Sequence, residues 1–186
     1  MQTALIVAGA VVVLTLVWVI ANFNRMVGLR QHIEESWSDI DVELQRRYSL
    51  IPNLVETVRG YANHERATLE QLADLRSRAM ANHGSAQSQA ADESAMLLGL
   101  EQVFALVEGY PQLKADAHFL ELQNELALTE DRIAAARRFY NGNVRDLRQL
   151  CEMFPTSLLA GALKIRPPTY FELDAAVEHV VPKVAV

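Results

Sequence analysis

The chain has 186 residues, a net charge of −6 and one cysteine. That length fits one domain with attachments, and the acidic balance argues against nucleic acid as a partner, because neutralising phosphates takes a surplus of lysine and arginine on one face. Cys151 has no second cysteine to pair with. A lone thiol is what a reducing compartment permits, and it reads as a small hydrophobe packed in a helix.

The first element is ALIVAGAVVVLTLVWVIA, Ala4 to Ala21, which carries no charge. At helical rise it extends about 27 Å, close to the hydrocarbon thickness of a bilayer, and it predicts a membrane span. A cleaved signal peptide is the competing reading, with Val19-Ile20-Ala21 as a tolerable cleavage site. No lysine or arginine precedes the run, however, and it is longer than the usual apolar core of a signal, so a retained anchor is expected. Trp18 then sits near one interface, and Arg25 and Arg30 flank the C-terminal end. Basic residues on that side alone place the N-terminus outside and the body of the protein in the cytoplasm. Residues 1–24 are the expected anchor, 25–152 the helical domain, and 153–186 a tail.

After the anchor, Trp37, Ile40, Leu44, Arg47, Ile51, Leu54, Val58 and Tyr61 recur in alternate steps of three and four. This is an a/d seam sustained over more than three heptads. Gly60 to Asn63 reads as the first turn, with Gly60 as stop and Asn63 as the next N-cap. A shorter helix carries Leu69, Leu72 and Met80. The stretch AQSQAADE, after His83 and Gly84, reads as the second loop, with Asp92 as a cap for a helix carrying Leu97, Leu100, Phe104 and Val107. Gly109-Tyr110-Pro111 supplies the third connection. A second long seam follows: Phe119, Leu122, Leu126, Thr129, Ile133, Ala136 and Tyr140. No segment alternates with period two over a strand's length, so the expected class is all-α.

The charges of the two long helices are complementary. Asp39, Asp41 and Glu43 precede Arg46 and Arg47, whereas Glu125, Glu130 and Asp131 precede Arg137 and Arg138. Laid antiparallel, Asp39 falls opposite Arg137 and Arg47 opposite Glu130. Such pairs set register and orientation more than they add stability. Arg47 lies on the apolar seam itself. It is either an internal clamp paired with Glu130 or Glu125, since buried charges need partners, or an anion-binding residue. Pro52 withdraws a hydrogen bond from the Tyr48 carbonyl, so the helix must bend or restart there. The bend either wraps the helix around a bundle or opens a polar pocket lined by Arg47, Asn53 and Glu56.

The tail contains FPTSLLAGALKIRPPTYF. If four helices alternate up and down, the last returns to the membrane. Leu158, Leu159 and Leu163 beside Lys164 and Arg166 then suit an interfacial segment on anionic head groups. The alternative is that this segment folds back to cap the core.

The block SWSDIDVELQRRYSLIPNLVETVRGYANHE resembles the signature of the LemA family of bacterial membrane-anchored proteins. The resemblance continues through YPQLKAD, FLELQNEL, TEDRIAAARRFYN, MFP and YFE, covering Phe23 to Glu172 nearly throughout. It implies a short external N-terminus, one span and an elongated antiparallel four-helix up-and-down bundle in the cytoplasm, and it implies no established reaction. Two departures stand out. The family usually repeats Tyr-Asn after the first such pair, here Tyr140-Asn141, where this chain has Leu147-Arg148. Glu35-Ser36 also replaces a more usual Ala before Trp37.

Catalytic motifs are not found. His64-Glu65 begins like a zinc-protease motif, but Thr68 stands where the second histidine belongs. The Glu-x-x-His pairs of di-metal bundles do not occur, nor does G-x-S-x-G or a P-loop. No metal or other cofactor is expected, and no enzyme activity. The expected function is a membrane-anchored scaffold that binds copies of itself, other membrane proteins or lipid. Its interaction residues are drawn from the charged helices and the Tyr140-Asn141 block. The alternative is a ligand-binding or signal-sensing bundle with its pocket at Pro52.

Overall fold

The computed structural model describes residues 1–62 and 64–174. Among these residues every regular element is a helix. The first, α1, runs unbroken from Gln2 to Tyr61, a length of 60 residues. Two chemically distinct halves make it up. From Leu5 to Ile20 the apolar side chains are exposed, Leu14 by 68% and Val12 by 58%, with Val19 half-buried, and no other described element covers them. The two polar groups within and just after this run satisfy themselves on the helix: Thr15 donates to the Val11 carbonyl at 2.8 Å and Asn22 to that of Trp18 at 2.8 Å. The segment is long and apolar enough to cross a membrane. Beyond it a single buried stripe begins, with Met26, Ile33, Ile40, Leu44, Arg47, Ile51, Leu54 and Val58. The boundary drawn at residue 24 therefore falls inside one helix and marks a change of surroundings.

The long helix α5, Ala117–Glu152, packs along the second half of α1. Its buried stripe holds Phe119, Leu122, Leu126, Thr129, Ile133 and Tyr140 and continues through Val144, Leu147 and Leu150. Each fully buried leucine or isoleucine in these stripes contributes roughly 1.5–3 kcal/mol. Tyr61 donates to Asp116 at 3.0 Å, Arg46 to Glu125 at 2.7 Å, and Asn143 to Ser36 at 3.1 Å. Partners ascend α5 as they descend α1, so the two helices are antiparallel.

Helices α2, Arg66–Ala81, and α3, Ala86–Val107, form a second packed pair, and α2 also lies on α1. Gly99 of α3 permits this closeness, since a Cβ there would stand 2.9 Å from Leu75 Cδ1. The turn between them corrects the sequence reading. AQSQAADE is not a loop but the first turns of α3, whose N-cap is Ser85, accepting from the Ser88 amide at 3.2 Å. Alanine and glutamine are good helix formers, and the true turn is only the four residues 82–85. Asp92 lies inside the helix, accepting from Asn82 at 2.6 Å and pairing with Arg78 at 2.7 Å. The first turn is also shifted: Gly60 lies within α1, Glu65 is the N-cap position of α2, and Asn63 lies outside the described residues.

A one-turn helix, α4 (Pro111–Lys114), leads into α5 and buries Leu113. Asp116 caps α5 by accepting from the Phe119 amide at 2.9 Å. That bond, with the one from Tyr61, holds the Asp116 carboxyl below its ordinary range. A final helix, α6 (Thr156–Ala162), packs on the end of α5 and on α1.

Candidate functional site

Five side chains from three helices meet in the interior around Arg47. The 3.6-residue period that places Leu44 and Ile51 inward also places Arg47 inward, and it is 1% exposed. One terminal guanidinium nitrogen donates to Glu93 of α3 and the other to Glu130 of α5. Glu93 is itself fully buried. Its second carboxylate oxygen accepts from the Tyr48 hydroxyl and from Gln89 Nε2, the latter at 2.8 Å. Gln89 also donates to the Ala79 carbonyl at 3.1 Å, which ties the end of α2 into the cluster. Burial alone works against the Arg47 charge, but the Glu130 and Glu93 carboxylates outweigh it and hold the guanidinium firmly protonated. Burial, then the charge and hydrogen bond of Glu93, push the Tyr48 phenol far above its ordinary value.

Pro52 sits one turn further along α1, and the helix runs on through it. The Tyr48 carbonyl that Pro52 leaves without its i+4 donor is taken by Arg76 of α2, whose Nε donates to it at 2.6 Å. A side chain from the neighbouring helix thus replaces the missing backbone bond. Asn53 and Glu56 face solvent, as does Pro52, while Arg47 points inward. These residues do not converge on one pocket.

The second constellation is a clasp on the tail. After α6 the chain turns back along the helices, and Phe171 is fully buried. Asn141 holds its backbone at two points, accepting from the Phe171 amide at 2.9 Å and donating to the Phe171 carbonyl at 3.0 Å. Tyr140 donates to the Thr169 carbonyl at 3.0 Å, and burial raises its phenol pKa. Trp37 lies between, with ring centroids 5.3 Å from Tyr140 and 5.7 Å from Phe171. Across the tail, Asp174 donates its amide to Ser94 of α3 at 3.1 Å, and the Gln87 amide reaches Thr169 at 3.4 Å. Residues 169–174 therefore fill a seam between α3 and α5. Where the expected second Tyr-Asn pair is replaced, Leu147 is buried and Arg148 lies over the Tyr170 ring at 4.6 Å, so this position still grips the tail.

The other expected positions are at the surface. Asp39 and Asp41 are exposed, Arg137 is half-buried, and Arg46 makes its pair with Glu125 at the rim. Trp18, Arg25, Arg30, Leu158, Leu163 and Lys164 are exposed, and Leu159 is half-buried. Of the two readings of the tail, its distal part follows the second and packs on the core, while Phe154 and Leu158 remain 80% and 68% exposed. Sequence reasoning missed Glu93, Gln89, Tyr48, Arg76 and Phe171. For Glu93 a signal was present. Ala86, Ala90, Glu93, Leu97 and Leu100 keep the three-and-four spacing of a buried stripe, hidden by the polar look of the surrounding letters.

Residues 36–185 match the model of the LemA family, a span that includes the Arg47 cluster and the clasped tail. Protein LemA of Metamycoplasma hominis is 23% identical over 150 residues, covering 80% of this chain and 68% of that protein. The chain belongs to the LemA family.

Proposed function

We propose that the protein is a membrane-anchored helical scaffold of the bacterial cell membrane. The apolar half of α1 spans the bilayer with the N-terminus outside. The remainder of α1 with α2, α3 and α5 forms an elongated up-and-down four-helix bundle in the cytoplasm. Its surfaces bind further copies of the chain or other membrane proteins. The observation that carries this reading is the continuity of α1, one helix of 60 residues with no linker between exposed apolar segment and packed body. Such a helix fixes the bundle's height and orientation on the membrane, as a scaffold requires and a freely swinging domain does not. Arg25 and Arg30 support the orientation.

A non-catalytic role is supported by the Arg47 cluster. Its charged and phenolic groups bond to one another, and Arg47, Tyr48 and Glu93 are buried, with Glu130 alone partly exposed at the edge. The exposed Leu158 and Phe154 beside the end of α5 support contact of α6 with the bilayer surface.

The test is intact mass and fractionation of the protein from native membranes. A chain beginning at Met1 that resists carbonate extraction supports the reading; one beginning at Asn22 sinks it. Val12→Arg places a charge in mid-span, which disfavours insertion by about 2.5–3.5 kcal/mol, and should lower the membrane fraction. An unchanged fraction counts against the span.

A further inference from the structure

A cleft of about 610 Å³ opens beside the lower part of the helical body, between α1, the start of α3, α5 and the segment after α6. Its apolar wall is Ile33, Trp37, Leu147, Leu163 and Ile165. Arg30, Lys164 and Arg166 line it as well, against a single carboxylate, Glu34, which is already paired with Arg30 at 3.4 Å. The cleft therefore offers basic side chains and an apolar wall.

Its position adds a second constraint. Arg30 lies three residues, about 5 Å of helix, beyond Val27, a side chain of α1 that is still 37% exposed. Helix α6 packs against α1 and α5 and leaves Leu158 68% exposed. A third observation concerns Lys164. It follows the C-terminus of α6 in the left-handed conformation, at φ 54, with the Ile165 amide closing back on the Ala160 carbonyl at 3.0 Å. Glycine is the residue that adopts this position without strain. A lysine held there is disfavoured by its backbone, so its presence points to a use for the side chain.

We propose that this cleft binds an anionic phospholipid, its phosphate among Lys164, Arg166 and Arg30 and an acyl chain along the Ile33, Trp37 and Leu163 wall. Charge complementarity selects the phosphate, and the adjoining apolar span and α6 face select a lipid over a soluble phosphate. The proposal rests on the anchor reading for the source of the ligand, but its chemistry is testable independently.

The full chain with Trp18→Phe, which leaves Trp37 as the only tryptophan, is purified in a mild neutral detergent and titrated with short-chain phosphatidylglycerol. Phosphatidylcholine of the same chain length and inorganic phosphate are the parallel arms. The expected result is a saturable change in Trp37 emission with the anionic lipid and a much weaker one with the other two. Lys164→Gly should weaken binding about fivefold, the effect of one basic residue near an anionic surface, while raising the melting temperature through relief of the left-handed strain. Arg166→Gln should weaken binding similarly, and Lys114→Gln, at the opposite end of the body, should leave it unchanged. Equal responses to the two headgroups, a matching response to inorganic phosphate, or unaltered affinity in both Lys164→Gly and Arg166→Gln overturns the proposal. A native chain that is not membrane-bound yet shows the selective response sinks the anchor reading and leaves the cleft assignment standing.

Discussion

Arg47 and Glu93 are both buried, and taking such a pair out of water is costly. Removing one leaves the other stranded. Arg47→Met is expected to destabilise the fold by about 3–5 kcal/mol, because Glu93 then lies buried without its cation. Arg47→Met combined with Glu93→Leu should recover most of that loss, since apolar replacements of a whole buried pair are often neutral. Denaturant melts of the four-member cycle check this; additive losses would remove Arg47 from its role as a clamp. Arg47→Glu places three carboxylates together and should be worse than Arg47→Met. Tyr48 supplies a separate test through pH. Its folded phenol holds its proton to higher pH than the unfolded one. The stability it contributes is whole below the ordinary phenol value of about 10 and is lost as pH rises through the higher folded value. Stability measured from about pH 9 upward should therefore fall, and Tyr48→Phe should flatten the fall in part, leaving the share due to Tyr61 and Tyr140, whose phenols are also raised.

Pro52 shows how an element tolerates a residue that should break it. The lost backbone bond is replaced by a charge-assisted bond from Arg76, a type worth roughly 1.5–3 kcal/mol. Arg76→Ala should be destabilising by about that amount. In a Pro52→Ala background, where residue 52 again donates to Tyr48, the same substitution should lose less. Equal losses in both backgrounds, read by thermal melts, would show that Arg76 acts elsewhere. The two long helices were legible because their stripes run for many turns and rise above local noise, and their opposed charges gave the antiparallel sense that Arg46–Glu125 and Arg47–Glu130 display. The start of α3 was not legible for a physical reason. Its inward side chains are small or polar, Ala86, Gln89, Ala90 and Glu93, because they face a charged cluster instead of a leucine core. The tail was ambiguous because the groups that hold it, Asn141 and Tyr140, bond to its backbone, and backbone acceptors leave no trace in a sequence.

At the scale of the molecule, one helix carries two kinds of surface. Its first part is apolar on all sides, its second on one stripe only, and the change occurs without a break near Met26. Under the proposed anchoring, a partner that meets the helical body meets it at a fixed height above the bilayer. The most exposed large apolar side chains of the two longest helices beyond the apolar segment, Phe139 at 73% and Val42 at 61%, are on the scaffold reading surface for neighbouring copies. Light scattering of the full-length protein in several mild detergents measures this most directly. The scaffold account predicts a protein mass that is a multiple of the 20.8 kDa chain, with crosslinks between copies in native membranes. A monodisperse species of 20.8 kDa in every detergent, with no such crosslinks, would contradict it.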